Sequence, residues 1–255
     1  MNRLIGALLI VISAASFGTL AIFGRYVYND GMDTLLSTLE PKREFGGGVY
    51  NLHMGKLISI VGASGVGKTT LLRALNAQDE FAVGLESHAE RPFQALFKND
   101  ARYALANQLD YLLFRAGQEK ELRADPRPAL TDGGLDLDFH GFTRLFHKNG
   151  WLTDDEFDLC RRFYTWTRSL LPPPEWIIAL SASRQTIRDR LAARNRINIA
   201  SEKDAQALEA FVAEWLESIP ESRIIRLEVS DETPDYARSV KIIRGKLTIA
   251  DLLTR

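Results

Sequence analysis

Cysteine is almost missing from this chain: 255 residues hold one, Cys160. A lone thiol excludes an internal disulfide and fits a reducing compartment. Its neighbours Phe157, Phe163 and Tyr164 lie in a helical stretch, so Cys160 reads as half-buried core and not as a nucleophile. Phe163, Tyr164 and Trp166 read as core and not as a stacking box for nucleic acid. Histidine is scarce too, and His88, His140 and His147 have no metal-ligand spacing with one another or with Cys160. They read as surface or packing residues. Neither charge is in excess, since 32 Lys+Arg against 33 Asp+Glu leave a formal net charge of −1. Without a basic block, composition gives no support to nucleic acid as a partner. No internal repeat is visible. A chain of this length suits one α/β domain plus an appendage.

Charge is wholly absent from residues 4–23, LIGALLIVISAASFGTLAIF. A helix of that length would span about 30 Å, the thickness of a bilayer core. Arg3 and Arg25 flank it and barely orient it. The segment resembles the first transmembrane helix of the drug/metabolite (EamA-type) transporters, although one such helix cannot make a transporter. A signal peptide is the second reading, but the run is long for one and no clear cleavage site follows. The third is a fused remnant or an over-extended start, because Met54 directly precedes Gly55, Lys56 and the first strand. The expected division is 1–39 as an apolar helix, 40–53 as a glycine-containing linker and 54–255 as the functional domain.

What is present dominates the reading. Residues 57–75 run as an apolar strand, a glycine-rich loop and a helix start, and residues 62–69 fit G-x-x-x-x-G-K-[ST] without a mismatch. Gly62, Gly65 and Gly67 let a phosphate approach the backbone, and successive N–H groups at a helix N-terminus form an anion nest. Gly62, Ala63, Ser64, Gly65, Val66, Gly67, Lys68, Thr69 and Thr70 are therefore the expected nucleotide-binding residues. Lys68 would reach the terminal phosphates and Thr69 would ligate Mg²⁺. The motif in this context implies binding of a nucleoside triphosphate.

Beyond the loop, helical and strand patterns alternate, which predicts a parallel sheet with helices on both faces. Expected strands cover 81–85, 129–131, 176–180 and 223–229. Expected helices cover 92–114, with Leu105, Leu109, Leu112 and Leu113 on one side, then 157–171, 186–196 and 205–216. Glu86 ends the second strand, and Asp132 ends the third, where a second carboxylate near the phosphates is expected.

The order of elements and several side chains over residues 56–236 resemble the deoxynucleoside kinase family, P-loop enzymes that move the γ-phosphoryl of ATP to a nucleoside 5′-hydroxyl. The family's strand-end glutamate is followed five residues on by Asn-Pro-aromatic; here Glu86 is followed by Arg91-Pro92-Phe93. Arg102-Tyr103-Ala104, Gln108 and Leu113-Phe114-Arg115 follow the next helix of the family. The resemblance implies Glu86 as base, with Glu90 as a nearby rival, and Gln108 against the nucleobase. It implies Asp132 beside Mg²⁺, with Asp136 and Asp138 as rivals. Arg190, Arg194 and Arg196 match the family's lid spacing R-x-x-x-R-x-R, and Trp215 and Asp235 match two later positions. The family usually forms a homodimer through helices.

Three positions depart from the family. Gly133-Gly134 stand where an arginine should follow the acid, Phe97 replaces the sugar-facing tyrosine, and Ile199 replaces the lid glutamate. The leading expectation is an ATP- and Mg²⁺-dependent kinase of nucleotide salvage with Glu86, Lys68, Arg190 and Arg194 as catalytic residues, its domain cytoplasmic with the 4–23 segment as a potential membrane anchor. The rival expectations are an ATP-binding regulatory protein of the same fold, favoured by the departures, and a membrane-tethered P-loop ATPase.

Overall fold

The computed structural model describes residues 54–85, 90–192 and 202–247, all within the unit Leu52–Arg255. Glu86, His88, Arg194, Arg196, Ile199 and the apolar run 4–23 lie outside the described residues. Among the described residues no helix is long and apolar enough to cross a membrane.

The described sheet has strands β1 (Leu57–Val61), β2 (Ala82–Gly84), β3 (Ala129–Asp132), β4 (Trp176–Ser181) and β5 (Ile224–Glu228). All pair in parallel, in the order β2-β3-β1-β4-β5. β1 is central and buried along its whole length, as expected of a strand covered on both faces. Alternate residues serve opposite layers. Ile58 and Ile60 pack with Leu71, Leu72 and Leu75 of α1 (Lys68–Asn76) and with Val240 and Ile243 of α9 (Ala237–Lys246). Val61 joins Val212, Trp215 and Leu216 of α8 (Glu202–Glu217) on the other side.

α7 (Arg184–Ala192) lies against the glycine loop, with Leu191 beside Gly65, and a helical layer completes the unit: α2 (Pro92–Asn99), α3 (Ala104–Ala124), α4 (Leu135–Leu137), a π-helical stretch Asp138–Thr143, α5 (Arg144–Lys148) and α6 (Asp154–Leu170). Ala104, Leu112, Phe139, Phe146, Leu152 and Cys160 form its core. The expected α/β architecture is present, with corrections. The helix read over 92–114 breaks at Asp100, which is extended and whose carboxylate accepts from Arg102 N at 2.9 Å, so the chain restarts as a 3₁₀ turn and then α3. Leu113 does not share the buried side of α3, being 57% exposed, whereas Arg115, Glu119 and Arg123 are buried there. α6 begins three residues early because Thr153 and Glu156 form a capping box, Thr153 N donating to Glu156 Oε2 at 2.8 Å. Trp166 is not core: it is 61% exposed.

Buried ion pairs lock α3 to α6. Arg168 meets Glu119 at 2.8 Å and Asp136 at 2.9 Å, and Arg123 meets Glu119 at 3.0 Å and Glu175 at 3.3 Å. Glu175 in turn accepts from Leu57 N at 2.7 Å, tying the network to the start of β1. Tyr164 donates to Asp136 at 2.7 Å, so its oxygen is left to accept from His140 Nε2 at 3.1 Å. His140 also stacks on Trp215 at 5.3 Å. Burial holds this imidazole's pKa down to about 4, a packing role as expected. Burial likewise pushes the Cys160 thiol up to about 11, which leaves it inert at neutral pH.

Candidate active site

The loop 62–69 leaves the C-terminal end of β1 and wraps over the N-terminus of α1. Gly67 has φ 111 and ends the loop by accepting from Leu71 N at 3.0 Å. Only glycine fits there: a β-carbon would meet the Tyr236 hydroxyl at 1.9 Å. Lys68 Nζ donates to the carbonyls of Gly62 and Ala63, each at 3.1 Å, so the ammonium stands over the loop that its amides line.

Thr69 and Asp132 come together although 63 residues separate them. The parallel register sets Asp132 opposite Ile60, one residue before the end of β1. Thr69 Oγ1 donates to Asp132 Oδ2 at 2.5 Å, while Asp132 Oδ1 is buried without a partner. A hydroxyl, an unmatched carboxylate oxygen and a phosphate nest form the oxygen-rich donor set that suits Mg²⁺. The rival acids are committed elsewhere, Asp136 to Arg168 and Tyr164, and Asp138 to Arg115. Among the described residues no group of three or more His, Cys, Asp and Glu clusters as a metal site.

Arg190 takes a place that its sequence position did not foretell. Nη1 donates to Val66 O at 2.6 Å and Nη2 to Val229 O at 2.8 Å. The guanidinium thus fastens the P-loop to the end of β5. Tyr236 sits beside it in a left-handed conformation, the only non-glycine residue with positive φ among those described.

On the other side of the site, a cavity of about 180 Å³ opens between α2, α3 and the π-helical stretch, with Phe97, Asn107, Gln108, Tyr111, Arg115 and Asp138 in its walls. Phe97 stacks on Phe146 at 4.9 Å and meets Trp151 edge-on at 5.2 Å. Gln108 Nε2 donates to Thr143 Oγ1 at 2.9 Å, and that hydroxyl donates to Asp138 O at 3.1 Å, bridging the wide π turn. Arg115 Nε donates to Asp138 Oδ2 at 2.8 Å, and both side chains are buried.

A phosphate loop and a half-apolar cavity thus share one end of a parallel sheet. The profile of the deoxynucleoside kinases matches residues 58–244. The chain belongs to the deoxynucleoside kinase family. Two solved structures of deoxyadenosine kinase from M. mycoides share its fold: one with bound dCTP, with a TM-score of 0.60, and one with the products dCMP and a flexible dCDP, with a TM-score of 0.62. Each is 18% identical, and each alignment covers 74% of this chain and 97% of the other. No curated protein matches the sequence.

As a deoxynucleoside kinase, the protein transfers a phosphoryl group from a nucleotide to a nucleoside. Of the residues expected from the sequence, the loop with Lys68 and Thr69 meets Asp132, while Phe97 and Gln108 meet in the cavity. Glu90, the rival base, is ion-paired with Lys98. Three features of the cavity lie outside the sequence-based expectations. Arg115 matches the Leu-x-Arg pattern with no role implied, Asp138 figures there only as a rival metal ligand, and Asn107 carries no signal. At Gly133, with φ 84, a β-carbon would stand 3.6 Å from Arg115 Nη2, so a guanidinium borders the place of the missing family arginine.

Proposed function

We propose that this deoxynucleoside kinase uses ATP with Mg²⁺ and phosphorylates the 5′-hydroxyl of a deoxynucleoside seated in the cavity of Phe97, Gln108, Arg115 and Asp138. The observation that carries the reading is the unmatched Asp132 Oδ1 beside Thr69, at the strand end shared by the P-loop and the cavity. Thr69 and Asp132 would hold Mg²⁺, which neutralises charge on the phosphate oxygens when bound.

The chain's own groups do the rest. Main-chain amides of residues 63–69 grip the β- and γ-phosphates. The Lys68 ammonium exchanges its carbonyl contacts for phosphate oxygens. Glu86 accepts the proton of the 5′-hydroxyl as the oxygen–phosphorus bond forms and the bond from the γ-phosphorus to ADP breaks. Arg194 and Arg196 close over the phosphates with paired N–H donors. Arg190 acts one step back, bracing Val66. Gln108 and the Arg115–Asp138 pair face the nucleobase, and Phe97 packs on the sugar without the hydrogen bond that a tyrosine would make.

Lys68→Ala tests this directly with radiolabelled ATP, Mg²⁺ and the four deoxynucleosides. The expected result is loss of product with all four and an unchanged melting temperature. Retained turnover refutes the assignment.

The same reading includes a homodimer and a cytoplasmic domain 54–255 joined through 40–53 to the 1–39 segment. Support for the dimer is the exposure of large apolar side chains on two helices that pack together: Leu113 on α3, and Trp166 and Leu170 on α6, are 57%, 61% and 55% exposed. Sedimentation should give twice the chain mass, and Trp166→Glu should halve it. Fractionation of the full chain tests whether residues 4–23 tether it to membrane.

A further inference from the structure

The α3 wall of the cavity is a helical stripe, with Asn107, Tyr111 and Arg115 four residues apart and Gln108 beside them. Two of its polar side chains have answers inside the protein. Gln108 gives its amide N–H to Thr143. Arg115 is held by Asp138 and also donates to Gln118 at 3.1 Å. Asn107 differs. Its residue is 4% exposed, and its carbonyl oxygen Oδ1 is enclosed with no hydrogen-bond partner.

Among the described residues, the buried side-chain atoms without a partner are Asn107 Oδ1 and Asp132 Oδ1. A buried acceptor without a donor costs stability, and native chains keep few of them. Asp132 has a reason for its free oxygen in the metal it would hold. Asn107 calls for a reason of the same kind, and it lines the acceptor cavity. An apolar residue of equal size would fill its place on α3 without that cost.

We propose that Asn107 is a specificity-determining residue whose side-chain carbonyl accepts an N–H from the exocyclic amine of the nucleobase. The inference rests on the reading of this cavity as the nucleoside site. Its chemistry follows from what the wall leaves over. Gln108 gives one N–H of its amide to Thr143, while Asn107 offers an acceptor. A base carrying an amino group satisfies that acceptor, whereas its oxo counterpart presents a carbonyl oxygen to a carbonyl oxygen. Rejection of the oxo member then comes from an acceptor left unmatched, the form of discrimination that hydrogen-bonding sites achieve best.

The test uses the full chain and two substrate pairs that differ only at the exchanged group, deoxyadenosine with deoxyinosine and deoxycytidine with deoxyuridine. The unmodified protein should favour the amino member of the pair whose ring fits. Asn107→Leu should lower kcat/KM for that member by roughly tenfold or more and leave the oxo member within about twofold. Its melting temperature should equal or exceed the parent's, because the unmatched acceptor is gone. Asn107→Ala, which adds no branching to the wall, should give the same loss of preference. Equal loss for both members, a preference that survives in both variants, or a lowered melting temperature in the leucine variant would each overturn the proposal and point to a structural amide. Absence of turnover by the unmodified chain with every nucleoside would overturn the reading of the site, and this proposal with it.

Discussion

The Tyr236 hydroxyl stands 1.9 Å from where a β-carbon on residue 67 would be, so the tyrosine and the glycine fit only as a pair. Gly67 also has φ 111. Gly67→Ala therefore meets both a clash and a strained backbone, with a combined cost of about 2–5 kcal/mol. Calorimetry should find ATP binding lost, and thermal melting should fall. Adding Tyr236→Phe should restore little, because the ring carbon at 2.9 Å and the φ angle remain.

Asp132→Asn keeps the shape of the Thr69 contact but removes the charge. The expected result is a fall in kcat of roughly 10²–10³-fold with stability within about 1 kcal/mol of the parent. Initial rates over a Mg²⁺ titration check it, and the variant should need more Mg²⁺ to reach half its maximum.

Arg168 answers two buried carboxylates, Asp136 and Glu119. Arg168→Met leaves Asp136 with the Tyr164 hydroxyl as its polar side-chain contact among the described residues. Removing one partner of a buried pair typically costs about 3–5 kcal/mol. A urea titration should show the midpoint lowered by that free energy divided by the slope, with the slope itself unchanged.

His140 makes stability pH-dependent. The folded imidazole resists protonation until pH falls to about 4, against an ordinary value of 6.5. Between those values the unfolded chain binds the extra proton, so stability is lost as pH drops through the window and is kept above it. The loss amounts to at most about 3 kcal/mol. Urea unfolding at pH 7 and pH 4.5 should show the decline, and His140→Gln should flatten it.

The parts of this site that could be read from the sequence are those where chemistry and adjacency coincide. The loop 62–69 is contiguous, and its glycines and Lys68 have one common use. Asp132 could be placed because a strand must end somewhere, yet choosing it over Asp136 and Asp138 required knowing that Arg168 and Arg115 claim the rivals. Those claims cross 32 and 23 residues and follow no period along the chain. The burial of Arg115, Glu119 and Arg123 on α3 ran against the hydrophobic pattern, because charges that answer one another can displace Leu113 from the inner face. The break at Asp100 turns on one carboxylate reaching Arg102 N, a local bond that periodicity does not sense. Asn107 was unreadable for a different reason: its significance lies in a contact that is missing.

The alignment of Asp132 with Ile60 has a consequence for how this enzyme can fail. A main-chain ladder that touches no substrate delivers the carboxylate to the mouth of the loop. Side chains alternate between faces along β3, so shortening the Pro128–Ala129 approach by one residue would turn Asp132 to the reverse face of the sheet. Such a deletion leaves every reactive residue in the chain and still disarms it, since what is lost is only the phase of one strand against its neighbour.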